Sequence, residues 1–409
     1  PSSSVVLVQV IGPVTGFLIA PTIGVLSDNC TSKYGRRRPF IFIGAWATAL
    51  CWLFMMFLEE LSHAFGGDSL SAVIQWKTGL IIFMYVWMDI SVNLTQVPVN
   101  LLIADFAKDR QIAAASIGGV YSIFGSFLIS GFVMVTGAAT THFQMFILML
   151  FIVLLVTTML VCYFVVEHPY IPEFEKRTSQ WSQIKEAFTA VYTGLVRLPY
   201  KLKLYALLLV LILYGFTAYN SAKGQFFGLQ VYEGNATGSD VCGNNCTEAQ
   251  ELYNEGVGLA TGLTDTLFNI VGLVYLAFLP SFIRYMGAKS VLAISMIPQV
   301  GFIVMAFSRQ VGISIFFAVF SSITQNTVFP MMMPLIIHIV GYGESNQLGL
   351  FAGALNSAVC FGQFLNFIFS SVLVTSSMGY SLPILVGGLV SLLAFIITLF
   401  KFHVDLIAI

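Results

Sequence analysis

Two long apolar runs near the start of the chain are separated by the charged stretch Ser27-Asp28-Asn29-Cys30-Thr31-Ser32-Lys33-Tyr34-Gly35-Arg36-Arg37-Arg38-Pro39. The stretch holds four cations and one acid, whereas only 9% of the whole chain is charged. Because Lys and Arg are retained on the inner side during membrane insertion, a cationic loop between two spans marks the cytoplasmic side. The stretch therefore predicts a membrane protein whose loop at 27–39 faces the cytoplasm.

The composition of the chain predicts a polytopic, all-α membrane protein. Hydrophobic residues make up 57% of it, and a bilayer core of about 30 Å needs roughly 20 apolar residues per helix. The apolar runs lack the alternating pattern of membrane β-strands. The net charge of −1 gives no reason to expect a nucleic acid as a partner. Eleven runs predict eleven spans, at about 5–27, 39–58, 78–107, 112–137, 143–166, 203–227, 251–283, 288–306, 311–338, 347–375 and 379–400.

The distribution of cations over the loops supports this orientation. If the loop at 27–39 is inside, fifteen of the 18 Lys and Arg residues lie in inside loops, and only Lys77, Lys223 and Arg309 lie outside. The opposite orientation would contradict the excess of Lys and Arg that cytoplasmic loops carry.

The outer loop at 228–250 contains two cysteines and two glycosylation sequons. Cys242 and Cys246 lie on the oxidising side, where the sequence is compatible with a disulfide between them or with two free thiols. The sequons begin at Asn235 and Asn245. They predict glycosylation of a loop that is extracellular or lumenal.

A second basic loop, at 279–289, echoes the first. It joins the second and third spans of the second half, whereas the loop at 27–39 joins the first and second spans of the first half. The two positions agree only if one helix has been lost before Pro1. We therefore expect a parent with six plus six helices, a plan that resembles the two six-helix bundles of the major facilitator superfamily.

The predicted domains follow from this plan. Residues 1–166 form an N-terminal bundle that lacks its first helix, and residues 203–409 form a C-terminal bundle of six helices. The cytoplasmic loop at 167–202 connects them. An interfacial helix in this loop is predicted by the near-helical spacing of Trp181, Ile184, Phe188, Val191 and Leu195.

Two acids lie deep inside apolar runs and are the first candidates for a function. Asp89 lies about 17 Å along a helix that begins near residue 78, close to the middle of the bilayer, and Asp265 is similarly deep in the run 251–283. A charge at the bilayer centre is costly unless it faces a cavity or a partner. Asp89 is predicted to bind substrate and to exchange a proton, and Asp265 to bind substrate. For each, the alternative is a protonated acid hydrogen-bonded to a neighbouring helix.

Amide side chains near these acids predict contacts with a ligand rich in hydroxyl groups. Asn93 and Gln96 follow Asp89 at i+4 and i+7 and therefore share its helix face. Asn356 and Gln363 repeat the i, i+7 spacing in the second half. Interhelical hydrogen bonds are the alternative role for these amides.

Asp105 lies at the inner end of the helix that carries Asp89, beside the basic loop. A gating ion pair with Arg36, Arg37 or Arg38 is one interpretation, and a solvated helix end is the other. The five histidines show no metal-binding spacing. The chain has no phosphate-binding Gly-x-x-x-x-Gly-Lys motif, so ATP is not expected to drive it.

The basic loop and the helix of Asp89 closely resemble those of the sucrose–proton symporters of plants and their animal and protist relatives. These proteins belong to the glycoside–pentoside–hexuronide cation symporter group. The loop resembles theirs from Ser27-Asp28 through Arg36-Arg37-Arg38-Pro39-Phe40-Ile41. The helix carries the family's spaced residues as Asp89, Asn93, Gln96, Pro98, Ala104 and Asp105. Weaker likenesses are Phe227-Gly228, Val231-Tyr232 and Gly353-Ala354-Leu355-Asn356 with Gln363.

The resemblance implies that Asp89 is the protonatable residue that also contacts the sugar, and that Asp28 belongs with the arginines to a cytoplasmic gating motif. The chain also departs from the family. It has Asn100 and Gly258 where the family usually has arginines. Lys223 and Gln225 stand where acids are usual. These changes alter the charge that would balance Asp89.

These features predict a transporter rather than an enzyme. The expected function is secondary active, proton-coupled symport of sucrose or another glucoside by alternating access, with the proton as coupling ion and no cofactor. The alternatives are a sodium- or proton-coupled carrier of another polyol or organic solute, and a sugar sensor that does not transport. The expected partners are the sugar and the lipid bilayer. The expected state is a monomer in the plasma membrane rather than in a vacuolar or other internal membrane.

Overall fold

All regular secondary structure in the described part of the chain is helical, which confirms the all-α prediction. The structure is a computed structural model. It describes residues 2–67, 69–136, 143–167, 189, 192–239, 242, 245–341 and 348–403.

The described helices follow the apolar runs of the sequence. They are α1 (Ser2–Asp28), α2 (Arg38–Met56), α3 (Leu58–Gly66), α4 (Leu70–Ala107), α5 (Gln111–Thr136), α6 (Phe143–Phe164), α7 (Tyr200–Asn220), α8 (Lys223–Gln225), α9 (Glu248–Gly258), α10 (Asp265–Met286), α11 (Ala288–Val300), α12 (Phe302–Phe307), α13 (Val311–Val340), α14 (Leu348–Leu373) and α15 (Ser381–Lys401). A 3₁₀ turn and two π-helical segments continue some of them, at Lys108–Arg110, Phe226–Val231 and Leu259–Thr264.

Within the described residues, nine helical segments are long and apolar enough to cross a bilayer. One of them, Leu70–Phe132, has 63 residues and a length of about 95 Å, which suffices for two crossings. It contains α4 and most of α5, joined by the 3₁₀ turn. The chain is therefore a multi-pass membrane protein. The count of eleven spans and the helix expected before Pro1 stay predictions.

The chain divides into two compact units, which do not coincide with the predicted bundles. Unit 1 comprises the described residues of Pro1–Phe106, Leu128–Leu198 and Val340–Cys360. Unit 2 comprises the described residues of Ala107–Phe127, Pro199–Ile339 and Phe361–Ile409. Both α5 and α14 are shared between the units. The division into bundles at 1–166 and 203–409 stays a prediction.

The loop predicted between the bundles is described only in part. Residues 192–197, which include Leu195, are helical. The other apolar positions of the predicted interfacial helix lie outside the described residues; they are Trp181, Ile184, Phe188 and Val191.

In unit 1, α1 and the first half of α14 run in close contact. A Cβ atom at Gly24 would overlap the backbone of Gly349, and one at Gly353 would overlap the backbone of Pro21. Further along, the Ser357 hydroxyl donates a hydrogen bond of 2.7 Å to the carbonyl oxygen of Phe17. Glycine at these positions therefore lets the two backbones approach, as small residues do in membrane helix pairs.

In unit 2, α7, α11 and α15 are joined by a buried polar contact inside an apolar core. The Gln299 amide donates hydrogen bonds to the carbonyl oxygen of Ile212 at 2.7 Å and to the Ser391 hydroxyl at 2.8 Å. These bonds satisfy a side chain that has no access to solvent. The core nearby is aromatic, and the rings of Tyr219 and Phe302 lie 5.2 Å apart.

Candidate functional site

Asp89 lies near the middle of α4 and has neutral hydrogen-bond partners. The Thr15 hydroxyl of α1 donates to Oδ2 of Asp89. The Asn93 amide donates to the Asp89 carbonyl oxygen at 2.9 Å and lies 3.5 Å from Oδ2. Among the described residues, no Lys, Arg or His side chain forms an ion pair with Asp89. The half-buried carboxyl group is thus held by a hydroxyl and an amide inside a candidate span.

The polar side chains that follow Asp89 continue along one face of α4. Asn93 is half-buried, whereas Gln96 and Asn100 are exposed. All three share the Asp89 face, at i+4, i+7 and i+11. Polar side chains within spans face protein or water rather than lipid. This face can therefore offer hydrogen bonds to a polar solute.

The structure separates the two amides that the sequence paired on α14. Asn356 belongs to unit 1, the unit of Asp89, and Gln363 belongs to unit 2, where it is half-buried. The Asn356 amide lies 3.7 Å from Sγ of Cys360. A Cβ atom at Gly16 of α1 would overlap Sγ of Cys360, and one at Gly12 would lie 3.7 Å from Oδ1 of Asp89. Cys360 and Asp89 therefore both lie against α1.

Asp265 has a partner that Asp89 lacks. Nζ of Lys223 donates to both carboxylate oxygens of Asp265, at 2.7 and 2.5 Å. The Lys223 side chain is 16% exposed and that of Asp265 is 38% exposed. Both residues belong to unit 2. The carboxylate of Asp265 is thus paired through both oxygens with one ammonium group, and the pair remains partly exposed to solvent.

The residues of the basic loop converge on two acids in unit 1. Asp105 accepts hydrogen bonds from Arg36 at 2.9 Å and from Nε of Arg37 at 3.2 Å. Arg37 also forms a 2.6 Å ion pair with Asp28. The other carboxylate oxygen of Asp28 accepts a hydrogen bond of 2.8 Å from the backbone N–H of Gly349, at the start of α14. The structure therefore links the loop to both α4 and α14.

Arg37 is the centre of this cluster and is fully buried. Burial lowers the pKa of its guanidinium, but the attraction of Asp28 and Asp105 outweighs this effect and raises the pKa above its ordinary value. Arg38 has a different environment. Its backbone N–H donates to Glu167 at 2.9 Å, and Glu167 also accepts from the backbone N–H of Arg37.

The loop that carries the two sequons is held by short-range bonds. Cys242 and Cys246 form a disulfide with a Cα–Cα distance of 4.9 Å, inside the range that the bond requires. Asn235 and Asn245 are both exposed. The side-chain oxygen of Asn235 accepts a hydrogen bond of 2.9 Å from the backbone N–H of Thr237.

Four residues of these sites were not singled out as site residues from the sequence. Three of them, Thr15, Glu167 and Lys223, act through contacts that are distant in the sequence. The fourth is Ser27, whose hydroxyl accepts from Arg37 at 2.6 Å within the basic loop. Lys223 carried a signal, because it is a cation close to the end of an apolar run. The others carried none, since hydroxyls and loop acids are common at such positions.

Comparison with known proteins gives a family match and partial relatives. The family described as MFS/sugar transport protein matches residues 4–232. The sucrose transport protein SUC4 of Arabidopsis thaliana is 33% identical over 114 residues, which are 28% of this chain and 22% of the relative. SUC3 of the same plant is 29% identical over 123 residues, which are 29% of this chain and 21% of the relative. The chain thus spans about a fifth of the length of these curated relatives.

Solved structures resemble the whole chain at low identity. The human organic anion transporter MFSD10 (TETRAN) gives a TM-score of 0.65 at 15% identity, with 96% of this chain and 83% of that chain covered. A bacterial homologue of the iron transporter ferroportin, in an outward-facing state, gives a TM-score of 0.58 at 14% identity, with 97% and 90% covered. At such identities the likeness shows the fold alone.

Proposed function

The chain belongs to the MFS/sugar transport protein family, and from this premise we propose that it is a secondary active transporter that carries a sugar together with protons. The family match covers more than half of the chain. The names of the relatives, sucrose transport proteins, support sucrose or another glucoside as the substrate. A family of transport proteins supports a carrier rather than an enzyme.

Asp89 is the observation that carries the proposal of proton coupling. An ionised carboxylate without a cation is costly in a membrane span, and binding of a proton removes that cost. Thr15 and Asn93 donate to this carboxyl group, and neither can neutralise it. A proton from the outside therefore completes the site, and its release on the inside resets it.

The residues proposed to bind the sugar are amide side chains and Asp89. A carboxyl group accepts hydrogen bonds from sugar hydroxyls, and Asn and Gln both donate and accept them. Asn93 and Gln96 on α4 and Asn356 on α14 are the residues of unit 1 that we assign to the sugar. In unit 2, Gln363 and Asp265 are also proposed to bind substrate. The bundles at 1–166 and 203–409, joined by the loop at 167–202, are proposed to rock for alternating access.

The basic loop is proposed to act as an inner gate. Arg37 binds Asp28 and Asp105 together, while Arg36 reinforces Asp105. Asp28 also accepts a hydrogen bond from the backbone N–H of Gly349 in the first turn of α14, where the positive end of a helix dipole favours a carboxylate. A movement that separates α1 from α14 must break the bond between Asp28 and Gly349, and a movement that separates α1 from α4 must break the bridge that Arg37 makes between Asp28 and Asp105. The cluster can therefore hold one state until substrate and proton are bound. Arg38 supports the gate through its backbone bond to Glu167.

The remaining assignments concern the cellular setting. The exposed Asn235 and Asn245 are proposed to carry glycans, and the loop with the disulfide is proposed to face the outside. A plasma-membrane location of a monomer is the setting that we propose, with the proton as coupling ion and no further cofactor.

Two alternatives follow from the neutral residues at Asn100 and Gly258. The first is a sodium- or proton-coupled carrier of another polyol or organic solute, because the absence of arginines there alters the charge that would balance Asp89. A sugar sensor would bind the ligand and transport none.

Uptake into proteoliposomes that contain the intact chain tests the proposal. Radiolabelled sucrose, methyl glucoside and a polyol such as mannitol are offered under an inward proton gradient, an inward sodium gradient or neither. We expect accumulation of a glucoside only under the proton gradient. Accumulation driven by sodium supports the first alternative, and binding without any uptake supports the sensor. Absence of both binding and uptake for every sugar contradicts the family-based proposal.

A further inference from the structure

The ion pair between Lys223 and Asp265 has an unusual position for two charges. Asp265 lies within the candidate span Glu248–Met286, yet its side chain is 38% exposed. Charged side chains in spans face protein or a water-filled space, because exposure to lipid is too costly. The exposed carboxylate therefore borders water, and a solute in that water can reach it.

The pair also has unused hydrogen-bonding capacity. A carboxylate has about four lone-pair sites, and an ammonium group has three N–H donors. The contacts between Nζ and the two carboxylate oxygens occupy only part of this capacity. One hydroxyl group of a ligand can donate a hydrogen bond to Asp265, while the neighbouring hydroxyl group of the same ligand accepts one from Lys223. The pair is neutral overall, which favours an uncharged ligand over an anion.

Two buried hydroxyl groups beside the pair lack partners. Tyr219 precedes Lys223 by four residues, across the break between α7 and α8, and Thr264 directly precedes Asp265. Their side chains are 2% and 1% exposed, and neither hydroxyl has a hydrogen-bond partner among the described residues. Asp265 is within electrostatic range of Tyr219. Because buried polar groups are normally hydrogen-bonded, these two hydroxyls mark a polar position whose hydrogen-bonding capacity the described residues leave unused.

An apolar surface accompanies the polar groups. The rings of Phe216 on α7 and Phe268 on α10 lie 5.9 Å apart, and both side chains are half-buried. Phe268 follows Asp265 by three residues and shares its helix face. Aromatic walls with a few placed polar groups are typical of small-molecule sites. A sugar has the matching chemistry, since its ring presents C–H faces and hydroxyl edges.

The backbone around the pair is irregular on both elements. The π-helical segment Phe226–Val231 follows α8, which begins at Lys223. The π-helical segment Leu259–Thr264 directly precedes Asp265. Such segments are rare and occur frequently at functional sites. Lys223 therefore lies shortly before one π-helical segment and Asp265 directly after another, and π-helical segments are frequent at ligand sites.

We infer that Lys223 and Asp265, with Tyr219 and Thr264, form a binding site in unit 2 for neighbouring hydroxyl groups of an uncharged polyol. This inference rests on the proposed function and deepens it, because it names the chemical group that the second half of the chain recognises. The pair acts as one unit in which Asp265 accepts from one hydroxyl and Lys223 donates to the next.

Binding of tritiated sucrose to the purified intact chain tests the inference, with thermal stability measured on the same samples. Hydrogen bonds to charged groups contribute roughly 1.5–3 kcal/mol, so Lys223→Gln and Asp265→Asn should each weaken binding about 10- to 100-fold. The double variant Lys223→Gln/Asp265→Asn leaves no unpaired charge and should regain stability. It should still bind sucrose as weakly as the single variants.

The double variant separates a binding role from a structural one. If it binds sucrose as tightly as the unchanged chain, the pair serves only stability and the inference is wrong. Tighter sucrose binding by Asp265→Asn also overturns the inference, because removal of the carboxylate that accepts from the sugar hydroxyl should weaken binding. The control is Lys77→Gln/Glu59→Gln, which removes an exposed ion pair of 2.8 Å and should leave binding unchanged. An unchanged chain that binds no sugar overturns the proposed function itself, which is a distinct outcome.

Discussion

Asp89 in unit 1 and Asp265 in unit 2 look alike in the sequence and differ in the structure. Each is an acid deep in an apolar run. Asp89 is held by the Thr15 hydroxyl and the Asn93 amide, whereas Asp265 is held by the ammonium group of Lys223 at 2.5 Å. The difference lies in the charge of the partner.

This difference assigns different chemistry to the two acids. A carboxylate without a cation gains from protonation in a membrane, and one with a cation gains from staying ionised. We therefore expect Asp89 to move protons and Asp265 to bind solute. Asp105, with two arginines, and the exposed Glu59, with Lys77, extend the comparison to four acids.

Asp89→Asn tests the comparison with the largest expected effect. The amide imitates the protonated acid and cannot release a proton, so accumulation under a proton gradient should be lost completely. Exchange of sugar across the membrane should remain, because the protonated form is the one that binds. Uptake and exchange in proteoliposomes measure the two separately.

The matched control is Asp109→Asn, which changes an exposed acid in the 3₁₀ turn after α4. It should accumulate sugar like the unchanged chain. If Asp89→Asn still accumulates substrate with an unchanged pH dependence, proton coupling through Asp89 is wrong and Asp265 becomes the next candidate.

Arg37→Gln tests the two acids that are paired with arginines, Asp28 and Asp105. It leaves Asp28 without its cation inside a buried cluster, and such a loss typically costs about 3–5 kcal/mol. We expect a lower free energy of unfolding in detergent and a leak of sugar through a weakened gate. Arg38→Gln is the control, since Arg38 bonds to Glu167 through its backbone. Equal effects of the two substitutions would contradict the central place of Arg37.

Asp265→Asn should destabilise the chain while Asp89→Asn should not. Removal of Asp265 leaves Lys223 without its counter-charge, and we expect a loss of about 1–2 kcal/mol after allowance for the exposure of the pair. Removal of the charge of Asp89 leaves no cation unpaired. Unfolding of both variants in the same detergent gives the comparison. A loss of stability in Asp89→Asn as large as in Asp265→Asn would mean that Asp89 has a cationic partner after all.

Lys77→Met is the change with the smallest expected effect. Hydrogen bonding to Lys77 lowers the pKa of Glu59, which lies outside the spans. Because the pKa of the folded state is lowered, the pair adds stability above the ordinary pKa of Glu59 and loses it as the pH falls through the folded-state value. The substitution should return the pKa to its ordinary range, as measured by carboxyl chemical shifts. A change in transport would contradict the solvent-exposed character of this pair.

The fold was predictable because burial in lipid leaves few choices. A bilayer forces long apolar segments to satisfy their backbone groups internally, so the runs predict helices. The basic loops at 27–39 and 279–289 predicted the plan of the major facilitator superfamily. The family match shows that the chain belongs to the MFS/sugar transport protein family, whereas the arrangement of six plus six helices stays a prediction. The irregular segments were not predictable, since Phe226–Val231 and Leu259–Thr264 carry no pattern that distinguishes a π-helix from an α-helix.

The site was predictable only where chemistry is visible in one residue. An acid at the middle of a span is conspicuous, and Asp89 and Asp265 were identified in this way. Asp105 was identified from its place at a helix end beside the basic loop. The separation of Asn356 from Gln363 between the two units was not predictable, because an i, i+7 spacing places residues on one helix face and says nothing of what each end of the helix contacts.

The sequence by itself determined that this chain is a multi-pass helical membrane protein and which residues are charged within its apolar runs. Only the tertiary structure decided which of those charges are paired. The physical reason is that hydropathy and the placement of cations act along the chain, whereas the state of a buried acid depends on what lies within a few ångströms of it. Thr15 reaches Asp89 across 74 residues and Lys223 reaches Asp265 across 42. Those two contacts separate the acid that we expect to carry protons from the acid that we expect to bind solute.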